Sequence, residues 1–110
     1  MNKGRNIFDI KNIRSKEQEV FESIIDTKNI LVERIVTLNH YDKPGKWYDQ
    51  ETDEWVLLLK GNAIIEIKDE EIITLNEGDY CFLPAHKIHR VKQTSEKSPC
   101  IWLAVHLKSQ

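Results

Sequence analysis

The sequence predicts an all-β domain with a short N-terminal α-helix. The chain has 110 residues, a length that fits one domain. From Ile30 onward, short runs rich in β-branched and other apolar residues alternate with turn signals such as Lys60-Gly61 and Asp69-Glu70. Short strands at this spacing, separated by turns, are typical of an antiparallel sandwich or barrel.

The helix is predicted over residues 15–26. Ser15 and Gln18 form a capping-box pattern, in which each side chain satisfies a free backbone N–H group at the start of a helix. An apolar stripe follows at helical spacing, formed by Val20, Phe21, Ile24 and Ile25. We expect residues 1–29 to form an arm and a helix that pack on the outside of a barrel formed by residues 30–110.

Seven strands are predicted after the helix. They cover residues 30–38, 54–59, 63–68, 71–75, 80–83, 88–93 and 101–107. We expect the last two to pair as a hairpin across the polar turn 94–99. Residues directly opposite each other in a hairpin share a face. That pairing would turn His89 and His106 toward the same side of the sheet.

Composition and charge exclude several classes of function. The net charge is −2, which does not favour binding to nucleic acid or to an anionic membrane surface. No apolar run approaches the ~20 residues of a membrane span, and no secretory signal precedes the domain. We expect a cytoplasmic protein in which Cys81 and Cys100 are reduced thiols.

Two segments resemble the paired motifs of the cupin superfamily. In the second motif, Gly78 is followed by five residues and then by Pro84, with His89 and Gln93 at the His and Asn positions. His86 stands where this motif usually has glycine. The resemblance implies a cupin jelly-roll β-barrel, also called a double-stranded β-helix.

The first motif is degenerate. Glu54 is followed by six residues and then by Gly61, as expected, but Tyr48 and Gln50 occupy the two positions where histidines are usual. The superfamily also implies a metal-capable site inside the barrel. It does not fix an activity, because one fold hosts many chemistries.

The candidate metal ligands combine the motif residues with the hairpin geometry. They are Gln50, Glu54, His89 and His106. Gln50 and Glu54 share a face of an extended strand because both numbers are even. A mixed set of nitrogen and oxygen ligands suits Fe(II), Mn(II), Ni(II) or Zn(II).

Other candidates concern catalysis and ligand binding. His106 and His86 are the candidate acid–base residues. The candidate ligand-binding residues are Tyr48, Trp102, Arg34 and Arg90. The two arginines are included because a guanidinium group anchors anionic groups well.

Three functions remain open at this point. The first is a metal-dependent enzyme that acts on a small polar organic substrate. The second is a non-catalytic module that binds or senses a small molecule. The third is a metal-free acid–base enzyme of the sugar-epimerase or isomerase type, which needs a histidine in contact with a carboxylate.

The sequence also predicts a homodimer. In the strand that carries Glu54, the opposite face holds Trp55, Leu57 and Leu59, which are apolar as well. An apolar face on each side of a strand needs cover on both sides. We expect a second copy of the chain to supply that cover.

Overall fold

A computed structural model describes residues 4–14, 19–38 and 44–108. Within these ranges the chain forms eight antiparallel strands in two facing sheets. The strands are β1 (Glu19–Asp26), β2 (Ile30–Thr37), β3 (Asp53–Lys60), β4 (Ala63–Ile67), β5 (Ile72–Leu75), β6 (Tyr80–Leu83), β7 (His89–Thr94) and β8 (Cys100–Leu107). One sheet has the order β1-β2-β8-β3-β6, and the other has the order β5-β4-β7.

All seven predicted strands are confirmed, and each end agrees within one residue. The turns between them have the backbone conformations that their residues favour. Gly61 and Gly78 have φ values of 91° and 90°, which a residue without Cβ adopts readily. Gly61 is also tightly enclosed, since an added Cβ would lie 2.8 Å from Sγ of Cys100. The alternation of strand runs and turn residues therefore predicted the β architecture correctly.

The prediction of an N-terminal helix is wrong for residues 19–26. Residues 19–26 form β1, which pairs with β2 along its length, while Ser15 and Gln18 lie outside the described residues. Val20, Ile24 and Ile25 are β-branched and favour an extended backbone. A bulge between Ser23 and Ile25 also shifts the alternation of the strand. The bulged strand therefore has apolar residues at the same spacing as the apolar face of a helix.

The predicted hairpin between the last two strands is also wrong. β7 pairs with β4 in the three-stranded sheet, whereas β8 lies between β2 and β3 in the five-stranded sheet. The turn between β7 and β8 carries the chain from one sheet to the other. Strands that follow each other in sequence do not pair where the chain passes from one sheet to the other, as it does between β7 and β8.

The core lies between the two sheets and is formed by alternate residues of the strands. Leu58 and Ala104 of the large sheet are fully buried, and Ile65 of the small sheet is 3% exposed. Two antiparallel sheets that enclose a single apolar core fit the jelly-roll barrel. No helix in the described ranges is long and apolar enough to cross a membrane.

The outer face of the large sheet is partly covered by the N-terminal arm. Arg34 points outward from β2 and donates hydrogen bonds to the carbonyl oxygens of Ile7 and Asp9. At the other end of this sheet, Tyr80 and Phe82 of β6 remain 65% and 51% exposed. The homodimer stays a prediction.

Candidate functional site

A cavity of about 70 Å³ lies between the two sheets. This exceeds the ~10–15 Å³ that one buried water requires, so the cavity can hold a small molecule. Its walls come from strand positions that alternate with outward-facing ones. The polar lining residues include Tyr48, Gln50, Glu54, His89 and His106.

Glu54 lies at the centre of the polar lining. It is 5% exposed, and it faces His106 directly across the β3–β8 pairing. Burial raises the pKa of Glu54 above its ordinary value, and the nearby Glu33 raises it further, against the opposing effects of both histidines and a hydrogen bond from Gln50. Oε1 of Glu54 is buried and has no hydrogen-bond partner. A buried carboxylate oxygen without a donor is costly, and a ligand or proton placed there would be stabilised.

His89 approaches Glu54 from the opposite sheet. Its Nδ1 lies 2.9 Å from the carbonyl oxygen of Lys87. Since a carbonyl oxygen only accepts, Nδ1 must carry a proton and donate it. In the neutral ring the lone pair is then on Nε2, which lies 3.8 Å from Oε1 of Glu54. The two atoms are both acceptors, and a proton or another donor between them would satisfy both.

Tyr48 lies next to His89 in the lining of the cavity. Its backbone exchanges two hydrogen bonds with the backbone of His89, and the two rings stack with their centroids 6.1 Å apart. Burial raises the pKa of Tyr48, and the charges of Glu19, Glu54 and Glu33 raise it further. Burial and the nearby carboxylates therefore both favour the neutral, protonated phenol of Tyr48.

His106 is held on both ring nitrogens. Nε2 lies 2.9 Å from Oε1 of Glu33, and Nδ1 lies 3.3 Å from the hydroxyl of Thr52. The same Nε2 is 4.0 Å from Oε2 of Glu54, beyond hydrogen-bond distance. The histidine–carboxylate contact that the acid–base hypothesis requires therefore exists, but its carboxylate is Glu33.

Three acidic or aromatic lining residues were missed by the sequence analysis. Glu33 belongs to β2, and Glu19 and Phe21 belong to β1. The signal for Glu33 was present, because it alternates with Ile35 and Thr37, which are buried inner-face positions. Glu19 and Phe21 could not be found, since that segment was interpreted as a helix.

Both arginines that were expected to bind an anion lie outside the described lining. Arg34 occupies an outward position of β2 and pairs with Glu22. Arg90 pairs with Glu66 and stacks over the ring of Trp47 at 4.1 Å. Alternation along β2 and β7 turns these side chains away from the cavity. Trp102, in contrast, does line it.

His86 lies at the rim and not among the residues that line the cavity. Its Nδ1 is 2.8 Å from Oδ1 of Asp49, and its side chain is 65% exposed. Its φ is 64°, in the left-handed region where glycine is favoured. The motif position thus keeps the backbone shape of glycine although it carries an imidazole. Its backbone N–H donates to the carbonyl oxygen of Gln50, which ties the two rim loops together.

The donor set does not fit a resident metal centre as it is arranged. Across residues 4–14, 19–38 and 44–108, no group of three or more His, Cys, Asp or Glu side chains is placed to hold a metal ion. Nε2 of His106 is engaged by Glu33, and Nε2 of His89 lies 3.8 Å from Oε1 of Glu54, an oxygen that has no partner. Tyr48 and Gln50 replace the two histidines that would complete the set.

Comparisons with known proteins agree with this architecture. The family model described as "Cupin domain" matches residues 35–106. A solved structure of a proposed mannose-6-phosphate isomerase from Ralstonia eutropha JMP134 is similar at a TM-score of 0.84 and 34% identity, covering 98% of this chain and 100% of that one.

Two further relatives extend the comparison. A cupin superfamily protein from Desulfitobacterium hafniense DCB-2 is 22% identical with a TM-score of 0.72, covering 88% of this chain and 84% of that one, and shows the fold alone. The uncharacterised protein YdbB of Bacillus subtilis (strain 168) is 29% identical over 93 residues, which are 84% of this chain and 78% of YdbB. With the family model spanning most of the barrel, the chain belongs to the cupin family.

Proposed function

We propose that the cavity is a metal-free acid–base site that moves a proton on a small polar organic substrate, as an isomerase or epimerase does. One observation carries this proposal. Oε1 of the buried Glu54 carboxyl group has no partner and lies 3.8 Å from Nε2 of His89, and Oε2 of the same group lies 4.0 Å from Nε2 of His106. A substrate atom that enters the gap between Glu54 and His89 meets two groups able to exchange a proton, with the ring of His106 beside them.

Each group has a distinct role in the proposal. The raised pKa of Glu54 brings its protonation closer to neutral pH, where a carboxyl group serves well as acid or base. In its neutral form His89 offers the lone pair of Nε2, because the carbonyl oxygen of Lys87 accepts a hydrogen bond from Nδ1. His106 is held by Glu33 at Nε2 and by Thr52 at Nδ1, so it acts as a positioning residue that fixes the wall beside Glu54.

The reaction class follows from these roles. A base removes a proton from a carbon beside a carbonyl group, and the negative charge is held on oxygen. In an epimerisation an acid returns a proton to the opposite face of the same carbon. In an isomerisation the proton returns to the former carbonyl carbon, and the hydroxyl proton passes to the former carbonyl oxygen. The proposed mannose-6-phosphate isomerase from Ralstonia eutropha, at 34% identity, supports the class, since an aldose–ketose isomerisation is a proton transfer of this kind.

Proton exchange with solvent tests the proposal. Mannose, glucosamine and mannose 6-phosphate are incubated with the protein in D₂O, and NMR follows deuterium at the carbon beside the carbonyl. We expect incorporation into at least one sugar, a loss of about 10²-fold or more in Glu54→Gln, and a smaller loss in the positioning variant His106→Asn. Glu96→Gln, which changes an exposed residue in the turn before β8, is the matched control.

Two outcomes would contradict the proposal. A wild-type protein that binds a sugar without exchange would be a binding module, which was the second function left open by the sequence. Exchange that persists in Glu54→Gln would move the chemistry to another group.

We also propose a cytoplasmic location. Cys81 and Cys100 are both free thiols, which agrees with a reducing compartment. Detection of the protein in a cytoplasmic fraction, with both thiols accessible to alkylation after denaturation without reductant, would support it.

A further inference from the structure

We propose that the cavity selects a small organic ammonium ion and discriminates against phosphorylated or carboxylated ligands. The inference rests on the proposed function only in taking the cavity as the ligand site. It concerns the charge of the ligand, which the family match does not specify, and it departs from the phosphorylated substrate in the name of the Ralstonia eutropha relative.

The charged lining residues carry the first part of the argument. Among the described residues that line the cavity, the acidic ones are Glu19, Glu33 and Glu54, and none is lysine or arginine. Glu33 is paired with His106, and the carboxyl group of Glu54 faces the space with its Oε1 unpartnered. An anionic ligand would meet repulsion there and no guanidinium anchor, because Arg34 and Arg90 are paired on the outside.

A group inside the cavity reports the sign of the field. The pKa of Tyr48 is raised by burial and then by the charges of Glu19, Glu54 and Glu33. A negative surrounding that disfavours phenolate also disfavours a ligand phosphate and favours a cation. The carboxyl groups that act on Tyr48 are the same three that line the cavity.

Aromatic side chains supply the second contact that an ammonium ion prefers. Phe21, Tyr48 and Trp102 all line the cavity, and ring faces attract cations through their quadrupole. The ring of Tyr48 already attracts one, since the ammonium group of Lys46 lies 5.4 Å from its centroid. This lysine is exposed and lies outside the lining set.

The partnerless oxygen of Glu54 supplies the third contact. Glu54 is 5% exposed, and its Oε1 accepts no hydrogen bond. A protonated amine donates to a carboxylate in a charge-assisted hydrogen bond, which is about twice as strong as a neutral one. A carboxylate or phosphate oxygen has no proton to donate at neutral pH, so it leaves Oε1 unsatisfied.

A matched set of probes tests the inference. Ethanolamine, ethylene glycol and glycolate have similar size and carry positive, zero and negative charge at pH 7. Binding is measured by NMR titration of the labelled protein at low salt. We expect ethanolamine to bind about tenfold more tightly than ethylene glycol, and glycolate to bind more weakly than both.

Variants locate the effect. Glu19→Gln, outside the proposed acid–base groups, should weaken ethanolamine binding severalfold and leave ethylene glycol unchanged, whereas Glu96→Gln should change neither. Lys46→Met removes a competing cation from Tyr48 and should strengthen ethanolamine binding. Had Lys46 served as an anion anchor, the same variant would weaken glycolate binding.

The inference is overturned if ethanolamine does not bind, if ethylene glycol or glycolate binds as tightly, or if Glu19→Gln has no effect. Its failure is separable from failure of the proposed function. Selective ethanolamine binding without deuterium exchange in any sugar contradicts only the acid–base proposal. Exchange into mannose 6-phosphate without any preference for ethanolamine contradicts only the charge selection.

Discussion

Oε1 of Glu33 lies 2.9 Å from Nε2 of His106, which joins β2 to β8 on the inner face of the large sheet. Glu33 faces Ala104 and His106 faces Leu31, so the pair is diagonal across the two strands. This contact occupies the nitrogen that would otherwise be available to a metal ion or to Glu54. It therefore decides which chemistry the cavity can support.

Metal binding should increase when Glu33 is removed. In Glu33→Ala, Nε2 of His106 is released and joins His89 and Glu54 as a third donor. We expect Zn(II) affinity to rise, because a further histidine nitrogen joins the nitrogen and oxygen donors that suit this ion. Calorimetric titration measures the affinity, and elemental analysis of untagged wild-type protein should give well under one metal ion per chain.

The double variant Glu33→Ala/His106→Ala is the control for this prediction, and it should lose the gain. Wild-type protein that already holds one ion per chain, and loses it in His106→Ala, would show that the contact with Glu33 yields to metal.

The stability of the protein should respond to Glu54 in a pH-dependent way. Burial raises the folded-state pKa of Glu54, so the folded chain binds the proton more strongly than the unfolded chain. Stability then falls as the pH rises from the ordinary glutamate pKa of about 4.3 through the raised value. Glu54→Gln cannot ionise, and we expect it to be more stable than wild type at pH 7.

Urea unfolding at pH 4, 5.5 and 7 measures this effect. The advantage of Glu54→Gln should shrink as the pH falls, and Glu96→Gln should show no such trend. An advantage that is the same at all three values would indicate a packing effect.

The rim loop should be more stable with glycine at position 86. The φ of His86 is 64°, and a left-handed backbone costs a residue with Cβ about 1–2 kcal/mol. The exposed contact with Asp49 offsets little of this cost. We expect His86→Gly to unfold at higher denaturant than His86→Ala, by about 1 kcal/mol in free energy.

Deuterium exchange should continue in both variants, since His86 does not line the cavity. A loss of exchange in both variants would return this histidine to the candidate catalytic residues.

The predicted homodimer can be tested on the outer face of the large sheet. Trp55 and Tyr80 contact each other there with ring centroids 5.5 Å apart, and Phe82 is 51% exposed. We expect Tyr80→Ser/Phe82→Ser to shift the protein toward monomer in sedimentation equilibrium. Ile72→Ser is the matched control, because Ile72 is 54% exposed on the small sheet. A monomeric wild-type protein would contradict the prediction.

The sequence was informative wherever the local pattern had one interpretation. Turn glycines and β-branched runs bounded the strands from Ile30 onward because both act locally. The segment around Val20 was ambiguous, since four apolar residues at i, i+1, i+4 and i+5 suit a helix or a bulged strand. Only pairing with β2 resolves that choice.

The site was predictable in part for the same reason. Glu54 and His89 followed from motif spacing, and the structure places both in the cavity lining. His106 also lies there, although the hairpin used to place it does not exist. Its true partner, Glu33, comes from a strand far away in sequence, and no local pattern reports such a contact.

Neighbouring residues on β2 face opposite ways, with Glu33 toward the cavity and Arg34 toward the N-terminal arm. A slip of β2 by one residue would therefore exchange a carboxylate for a guanidinium inside the barrel and reverse the charge offered to a ligand. The hydrogen bonds from Arg34 to the arm oppose that slip. The N-terminal arm thus fixes the register of β2. In this way it keeps Glu33 in the cavity, although residues 4–14 do not line the cavity.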